Sequence, residues 1–350
     1  MPIKVLIDDS PMTDGNAIRG VGAYTRFLAQ FLKKDKNIDL ALAREKRTDF
    51  KAEIIHYPFF DLFFSTLPLI KRTRTIVTIH DVIPLLYPKH YLVGKKGILA
   101  LIRQKLALRN VDAVITDSEN SKTDIAKYLR FPLEKIQVIY LAPNPELELA
   151  SQQEIASVIR KYKLPKKYIL YVGDINYNKN IPQLIKTIKF LPKDIKLVCV
   201  GKNFRPQNIP EWQAIETQLA LSNVVERVKF LTDISGEGSA DLAAIYSGAL
   251  AYVQPSFYEG FGLPVLEAMT CQTPVICANN SSLPEVALNK AIMVEEAKAE
   301  NFALAVEEIL AWNKTERENF IKLAAAHAKK FTWLKTAKAT AAVYKEVLKK

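Results

Sequence analysis

Two glutamates, Glu259 and Glu267, stand inside "PSFYEGFGLPVLEAM" (residues 255–269), a stretch whose other residues are mostly apolar. Proline at position 264 suits the first turn of a helix. Leu263, Val265, Leu266, Ala268 and Met269 would make that helix apolar on nearly every side. A carboxylate in a buried helix needs a partner or a ligand, so Glu267 is expected to project into a binding site. Glu259 falls in the loop before it, and the backbone N–H groups of Gly260, Phe261, Gly262 and Leu263 suit hydroxyl or phosphate oxygens. The plainer alternative is a capping acid with a buried salt bridge. Lys179 raises a related question in "YVGDINYNKNIPQL" (171–184), where a strand ends at Gly173 and a helix opens after the lysine. Helix N-termini favour acids, so a cation there makes sense if an anion shares the site.

Two weaker signals lie nearer the N-terminus. "TIHDVIPLLYP" (78–88) puts His80 at the C-terminal end of a strand, either as a satisfied core residue or as a group facing a ligand. "RGVGAYTRFLAQFL" (19–32) sets Gly20 and Gly22 just before a helical run, for phosphate contact or a plain turn. It is not a dinucleotide fingerprint, because Thr25 stands where a third small residue is needed.

The elements that must hold these groups alternate between short β-branched runs and helical patterns, which predicts parallel α/β sheets. Strands are predicted at 3–8, 52–57, 74–80, 112–116 and 135–140, and again at 168–173, 195–201, 224–231, 249–254 and 273–278. The proline-bearing segment 141–153 between the two series reads as a linker. Two doubly wound, Rossmann-like domains are expected, residues 1–150 and 151–333, facing across a cleft. An amphipathic helix near 334–350 should cross back to the first. Such sheets bind ligands outside their strand C-termini, which makes the cleft the expected site.

The 350 residues carry a net charge of +12, pointing to polyanionic partners. Residues 60–110 hold nine lysines and arginines against Asp61 and Asp81, mixed with aliphatic residues in "GKKGILALIRQKLALRN". Either a solvated basic face or a patch resting on anionic lipid fits this pattern. No nucleic-acid motif accompanies it. "MPIKVLIDDS" lacks the long apolar centre of a signal peptide. Cys199, Cys271 and Cys277 sit in apolar surroundings without metal-ligand spacing, and they read as buried reduced thiols suited to the cytoplasm.

The Glu259-x7-Glu267 block resembles the signature region of family 4 glycosyltransferases, retaining enzymes of the GT-B fold. "GVGAYT", "TIHDVIPLLYP", "DAVITDSENSKTDI", "EKIQVIYLAP", "YVGDINYNKNI" and "FTWLKTAKATAAVYKEVL" are similar to that family in the same order, over nearly the whole chain. The resemblance implies that a sugar nucleotide binds the C-terminal domain and an acceptor the N-terminal one. Glu267 would hold the ribose hydroxyls. Glu259, with Gly260, Phe261 and Gly262, would contact the transferred sugar. Lys179 would neutralise the diphosphate, Gly20 and Gly22 would touch it, and His80 would lie beside the sugar. No metal or other cofactor is implied, so "IDDS" is not read as a metal motif.

One departure stands out. Relatives pair the lysine with an arginine at positions held here by Asp174 or Asn178, leaving Lys202 or Arg19 as the second cation. The expected activity is transfer of a hexose, mannose from GDP-mannose first, to a glycan or lipid-linked acceptor in polysaccharide assembly. UDP-sugars, a glycoside phosphorylase and a non-catalytic binding subunit are the alternatives.

Overall fold

The computed structural model describes residues 1–13, 20–45, 49–234 and 240–349. Contacts divide the chain into two compact units, Met1–Ala142 with Phe331–Lys350, and Pro143–Lys330. The first unit is built on a six-stranded parallel sheet of order β2-β1-β3-β4-β5-β6. Its strands are β1 Ile3–Ile7, β2 Ile38–Leu42, β3 Ile54–Tyr57, β4 Arg74–Thr78, β5 Ala113–Thr116 and β6 Ile136–Val138. The second unit carries another parallel sheet, of order β12-β11-β10-β7-β8-β9. Here the strands are β7 Tyr168–Val172, β8 Lys196–Val200, β9 Val228–Leu231, β10 Ala251–Gln254, β11 Val275–Ala278 and β12 Ile292–Val294.

Helices cover both faces of each sheet, so central strands are apolar without alternation. AVIT in β5, AYVQ in β10 and VICA in β11 are buried at every position. Strands β2 and β12 were not anticipated. Both lie at sheet edges. The first alternates with an aspartate and the second has three residues.

The last helix, Trp333–Lys349, belongs to the first unit. Its buried stripe of Trp333, Thr336, Ala337, Thr340, Ala341, Tyr344 and Val347 recurs at helical spacing. Trp333 packs against Phe27 of the Gly20–Leu32 helix, the rings tilted by 40° with centroids 5.2 Å apart, and Thr336 donates to the Tyr140 carbonyl at 2.8 Å. The segment read as a linker is pinned rather than free. Leu141 to Asn144, Leu147 and Ala150 are buried, and the Ala150 N–H donates to Ser247 at 3.1 Å. The unit boundaries accordingly fall at 142/143 and 330/331, where 150/151 and 333/334 were expected.

Candidate functional site

Topology locates the site in the second unit. The chain leaves β7 toward β8 and β9 on one side, then returns to place β10 on the other side of β7. Helices after β7 and β10 therefore depart in opposite directions, opening a crevice at the strand C-termini. The loop after β7 carries Lys179, and the loop after β10 carries Glu259. Their side chains meet: Lys179 Nζ lies 2.8 Å from Glu259 Oε1 and 2.7 Å from Oε2.

Glu259 is 5% exposed and heavily supported. Its Oε1 also accepts from Gln254 Nε2 and Ser256 Oγ, each at 2.6 Å. Its N–H donates to Ser281 Oγ at 2.9 Å, and its carbonyl accepts from Ser282 Oγ at 3.0 Å. Tyr252 donates to the Gln254 side-chain oxygen, so the carboxylate ends a buried polar chain that begins inside the sheet. A buried carboxylate needs such donors. Gln254, Ser256, Ser281 and Ser282 were not anticipated as site residues. Two polar residues closing an otherwise apolar strand, in "AYVQPS", were the available signal.

The glycine loop is built as its sequence requires. Gly260, Phe261 and Gly262 are buried and Leu263 is half-buried. Gly262 has φ +105°, a conformation that side chains resist, and a Cβ there would lie 2.8 Å from Leu283. The Leu263–Thr270 helix begins at the next residue, with proline in its first turn. Glu267 is half-buried on that helix and accepts from the Tyr246 hydroxyl at 3.0 Å. Burial raises the Tyr246 pKa well above its ordinary value, and the Glu267 charge raises it further, so this hydroxyl stays a donor.

The departures at Asp174 and Asn178 have structural tasks. Asn178 is buried and donates to the Tyr258 carbonyl at 2.8 Å, tying the two loops together. Asp174 accepts from Asn203 at 2.7 Å, joining the loop after β7 to the one after β8. These two loops also meet through backbone: a Cβ at Gly201 would come within 2.1 Å of the Gly173 carbonyl. Gly201 was missed in the sequence reading. Lys202 beside it is exposed and pairs with no carboxylate among the described residues, as is Arg205. Arg19, the other expected cation, lies outside the described residues.

In the first unit, His80 follows β4 and Asp117 follows β5. His80 Nδ1 lies 2.7 Å from Asp117 Oδ2. Burial alone would lower the His80 pKa, but the Asp117 charge and hydrogen bond, with Asp81, overcome it and raise it. Asp117 is itself raised by burial, against the opposing pull of His80. The Pro58 carbonyl favours the His80 cation least among these causes, and Nε2 makes no geometrically sound hydrogen bond among the described residues. Asp117 Oδ1 is likewise without a partner there. A buried carboxylate oxygen left open beside an ion pair is a place for a ligand hydroxyl or water.

A second buried network supports that pair. Tyr24 stands edge-on to His80 at 4.8 Å and bonds Thr78 at 3.0 Å. Thr78 bonds His56 Nε2 at 2.8 Å, and His56 Nδ1 meets the Tyr344 hydroxyl at 2.7 Å. Burial first, and the charge of His80 second, lower the His56 pKa to about 3. Asp81 accepts from the Ile83 N–H at 2.9 Å and so caps the next turn.

Gly20 and Gly22 are not a loop before the helix, as expected, but lie within its first turn, Gly20 exposed and Gly22 buried. Asp8 and Asp9 of "IDDS" hold Ser10 and Arg44. Among the described residues no cluster of histidine, cysteine and acid side chains could hold a metal ion. No described helix is long and apolar enough to cross a membrane.

Comparison with known proteins agrees with this arrangement. Residues 3–147 match the profile described as Glycosyltransferase Family 4, and residues 152–327 that of Glycosyl transferases group 1. O-antigen chain mannosyltransferase B of Escherichia coli is 28% identical over 306 residues, spanning 85% of this chain and 75% of that protein. The serotype-specific mannosyltransferase WbdA of Escherichia coli is 30% identical over 272 residues, 75% of this chain, which spans only 32% of WbdA. Among solved structures, Anabaena HepE in complex with UDP and glucose superposes with a TM-score of 0.75 at 16% identity, covering 98% of this chain and 100% of HepE. With its two parallel sheets and a glutamate–lysine pair at the second sheet's switch point, the chain belongs to the glycosyltransferases, a family 4 domain followed by a group 1 domain in the GT-B fold.

Proposed function

We propose that this glycosyltransferase moves mannose from GDP-mannose to a hydroxyl of a glycan or lipid-linked acceptor in polysaccharide assembly, with retention at the anomeric carbon. The observation that carries the reading is the Lys179–Glu259 pair at the switch point, eight residues before Glu267 on a buried helix. The mannosyltransferase relatives supply the sugar and the kind of product. Glu267 holds the ribose hydroxyls, with the Tyr246 hydroxyl fixing its carboxylate. Glu259 and the Gly260–Gly262 backbone hold the sugar.

Lys179 faces the diphosphate with the charge it shares with Glu259, and Lys202 adds the second cation. The departing phosphate oxygen takes the acceptor's proton while the new glycosidic bond forms on the same face. Lys179 and the first-turn N–H groups of the Leu263–Thr270 helix stabilise charge on that oxygen as it develops. His80 and Asp117 are the first domain's pair for a ligand hydroxyl.

Turnover of a donor panel tests the reading, beside thermal shift with nucleoside diphosphates. GDP-mannose should be consumed fastest, and GDP at a hundredfold excess over its dissociation constant should add about 2.7 kcal/mol of stability. Turnover confined to UDP-sugars, or phosphorolysis of a glycan, would overturn it.

A further inference from the structure

The helix Lys95–Leu108 in the first unit buries Ala107 and Leu108 in the core but carries a second apolar face that an ordinary surface helix lacks. Its polar Gln104 is fully buried and satisfied, donating to the Asp61 carbonyl and Thr66 Oγ1 and accepting from the Leu67 N–H. Its apolar Ile98, Leu99, Ile102 and Leu106 face solvent, 49%, 66%, 52% and 45% exposed. These four recur at helical spacing and form one row.

Cations frame that row. Lys95 and Arg109 fall on its ends, with Lys96 and Arg103 on one flank and Lys105 on the other. Residues 82–111 contain no carboxylate at all. Phe64 and Ile70, on the segment that Gln104 and Arg103 hold through Asp61 and Leu67, extend the apolar surface at 72% and 80% exposure. Beside the helix lies a groove of about 500 Å³ with Ile102, Leu106 and Phe131 in its lining, and Lys105, Arg109 and Arg130 around them. None of these three cations pairs with a carboxylate among the described residues.

We propose that this face docks on the surface of an anionic lipid bilayer. The apolar row enters the acyl boundary while the flanking cations meet headgroup phosphates, the arrangement of an interfacial helix. A second copy of the chain fits poorly, since a two-fold contact through this row would set like charges against each other. A nucleic acid would take the cations and leave the row in water.

Cosedimentation with phosphatidylglycerol–phosphatidylcholine vesicles, against phosphatidylcholine alone, tests the assignment. The protein should bind the anionic vesicles preferentially and leave them near 1 M salt, where the screening length is about 3 Å. Reversing Lys95, Lys105 or Arg109 to glutamate should weaken binding about fivefold or more per site. The triple variant Ile98→Ser, Ile102→Ser, Leu106→Ser should weaken it roughly a hundredfold with an unchanged circular dichroism spectrum. Failure to bind anionic vesicles at low salt would overturn the proposal. So would equal binding to neutral vesicles, or a folded triple variant that binds like the parent. A dimer in light scattering that the triple variant abolishes would assign the face to a second copy instead.

Discussion

Removing Lys179 and removing Glu259 should have very unequal consequences, and the difference follows from their surroundings. The two side chains are 21% and 7% exposed. In Lys179→Met the Glu259 carboxyl group stays buried, with only the neutral donors Gln254 and Ser256 left to it. Breaking a buried ion pair costs about 3–5 kcal/mol, and those two donors favour the lower end, about 3 kcal/mol. In Glu259→Gln the remaining charge is the lysine, which can swing toward water, so the loss should be nearer 1 kcal/mol. The double variant replaces the pair with neutral groups of similar shape and should lose only about 1–2 kcal/mol. The expected coupling is therefore about 2–3 kcal/mol. Urea unfolding followed by hydrogen exchange in peptides of the second domain measures it. Additivity within about 0.5 kcal/mol would refute the reasoning. Nucleotide binding supplies a second arm. Glu259→Gln frees Lys179 for a diphosphate, so GDP affinity should hold or rise while transfer falls, whereas Lys179→Met should weaken GDP. Equal weakening in both variants would show that the pair acts as one structural unit.

Acid should loosen the first domain through His56. Its folded pKa of about 3 lies below the unfolded value, so its contribution is complete above about 6.5 and is lost as pH falls, at roughly 1.4 kcal/mol per pH unit; a parent and His56→Gln with the same pH slope of stability would refute it. His80 has the opposite sign, since its raised pKa keeps the cation present below the unfolded value and loses it as pH rises through the folded one. Asp117→Asn should move the alkaline limb of the kcat/KM profile to lower pH, and a reduced rate with an unmoved limb would leave Asp117 a purely structural role. Gly201→Ala should cost roughly 1–3 kcal/mol, because its Cβ meets the Gly173 carbonyl. Gly20→Ala meets nothing within 4 Å and should change stability by less than about 1 kcal/mol, so a collapse of transfer there would mark diphosphate contact.

The parts of the molecule legible from sequence are those that repeat a local rule. Central parallel strands are apolar throughout because both faces are covered, and the last helix shows its stripe because one face is. Strands β2 and β12 escaped for local reasons, since Asp39 interrupts the apolar run of the first and the second has only three residues. At the site, Glu259, Glu267 and Lys179 were legible because charge among apolar residues demands a reason. Their partners were not. Gln254 and Ser256 are ordinary polar residues until the β10 strand aims them at a carboxylate, and Asp117 lies 37 residues from the histidine it holds. The helix Lys95–Leu108 was read as mixed basic and aliphatic, but which face was covered depended on Gln104 finding the backbone of residues 61–67.

Asp174 and Asn178, where the family resemblance implies an arginine, show how one change of charge spreads through a site. Asn178 at such a position can bury itself and donate to the Tyr258 carbonyl, which draws the loop after β7 onto the loop after β10. An arginine there would carry a charge into a position only 3% exposed, and the loop would have to open to hydrate it. Asp174 closes the other side by accepting from Asn203, while Gly201 and Gly173 permit the backbone contact between the same two loops. The crevice is thus held by these hydrogen bonds, the Lys179–Glu259 pair and close backbone packing rather than by added cations. The positive charge at its switch point rests on Lys179, and Glu259 shares it. The outlying cations are Lys202 and Arg205, exposed on the one loop that Asp174 fastens to the site. On the proposed assignment a donor diphosphate would draw Lys179 away from Glu259, and the same movement would free the Glu259 carboxylate to accept from sugar hydroxyls. A single ion pair would in this way couple donor binding to the readying of the sugar-binding group.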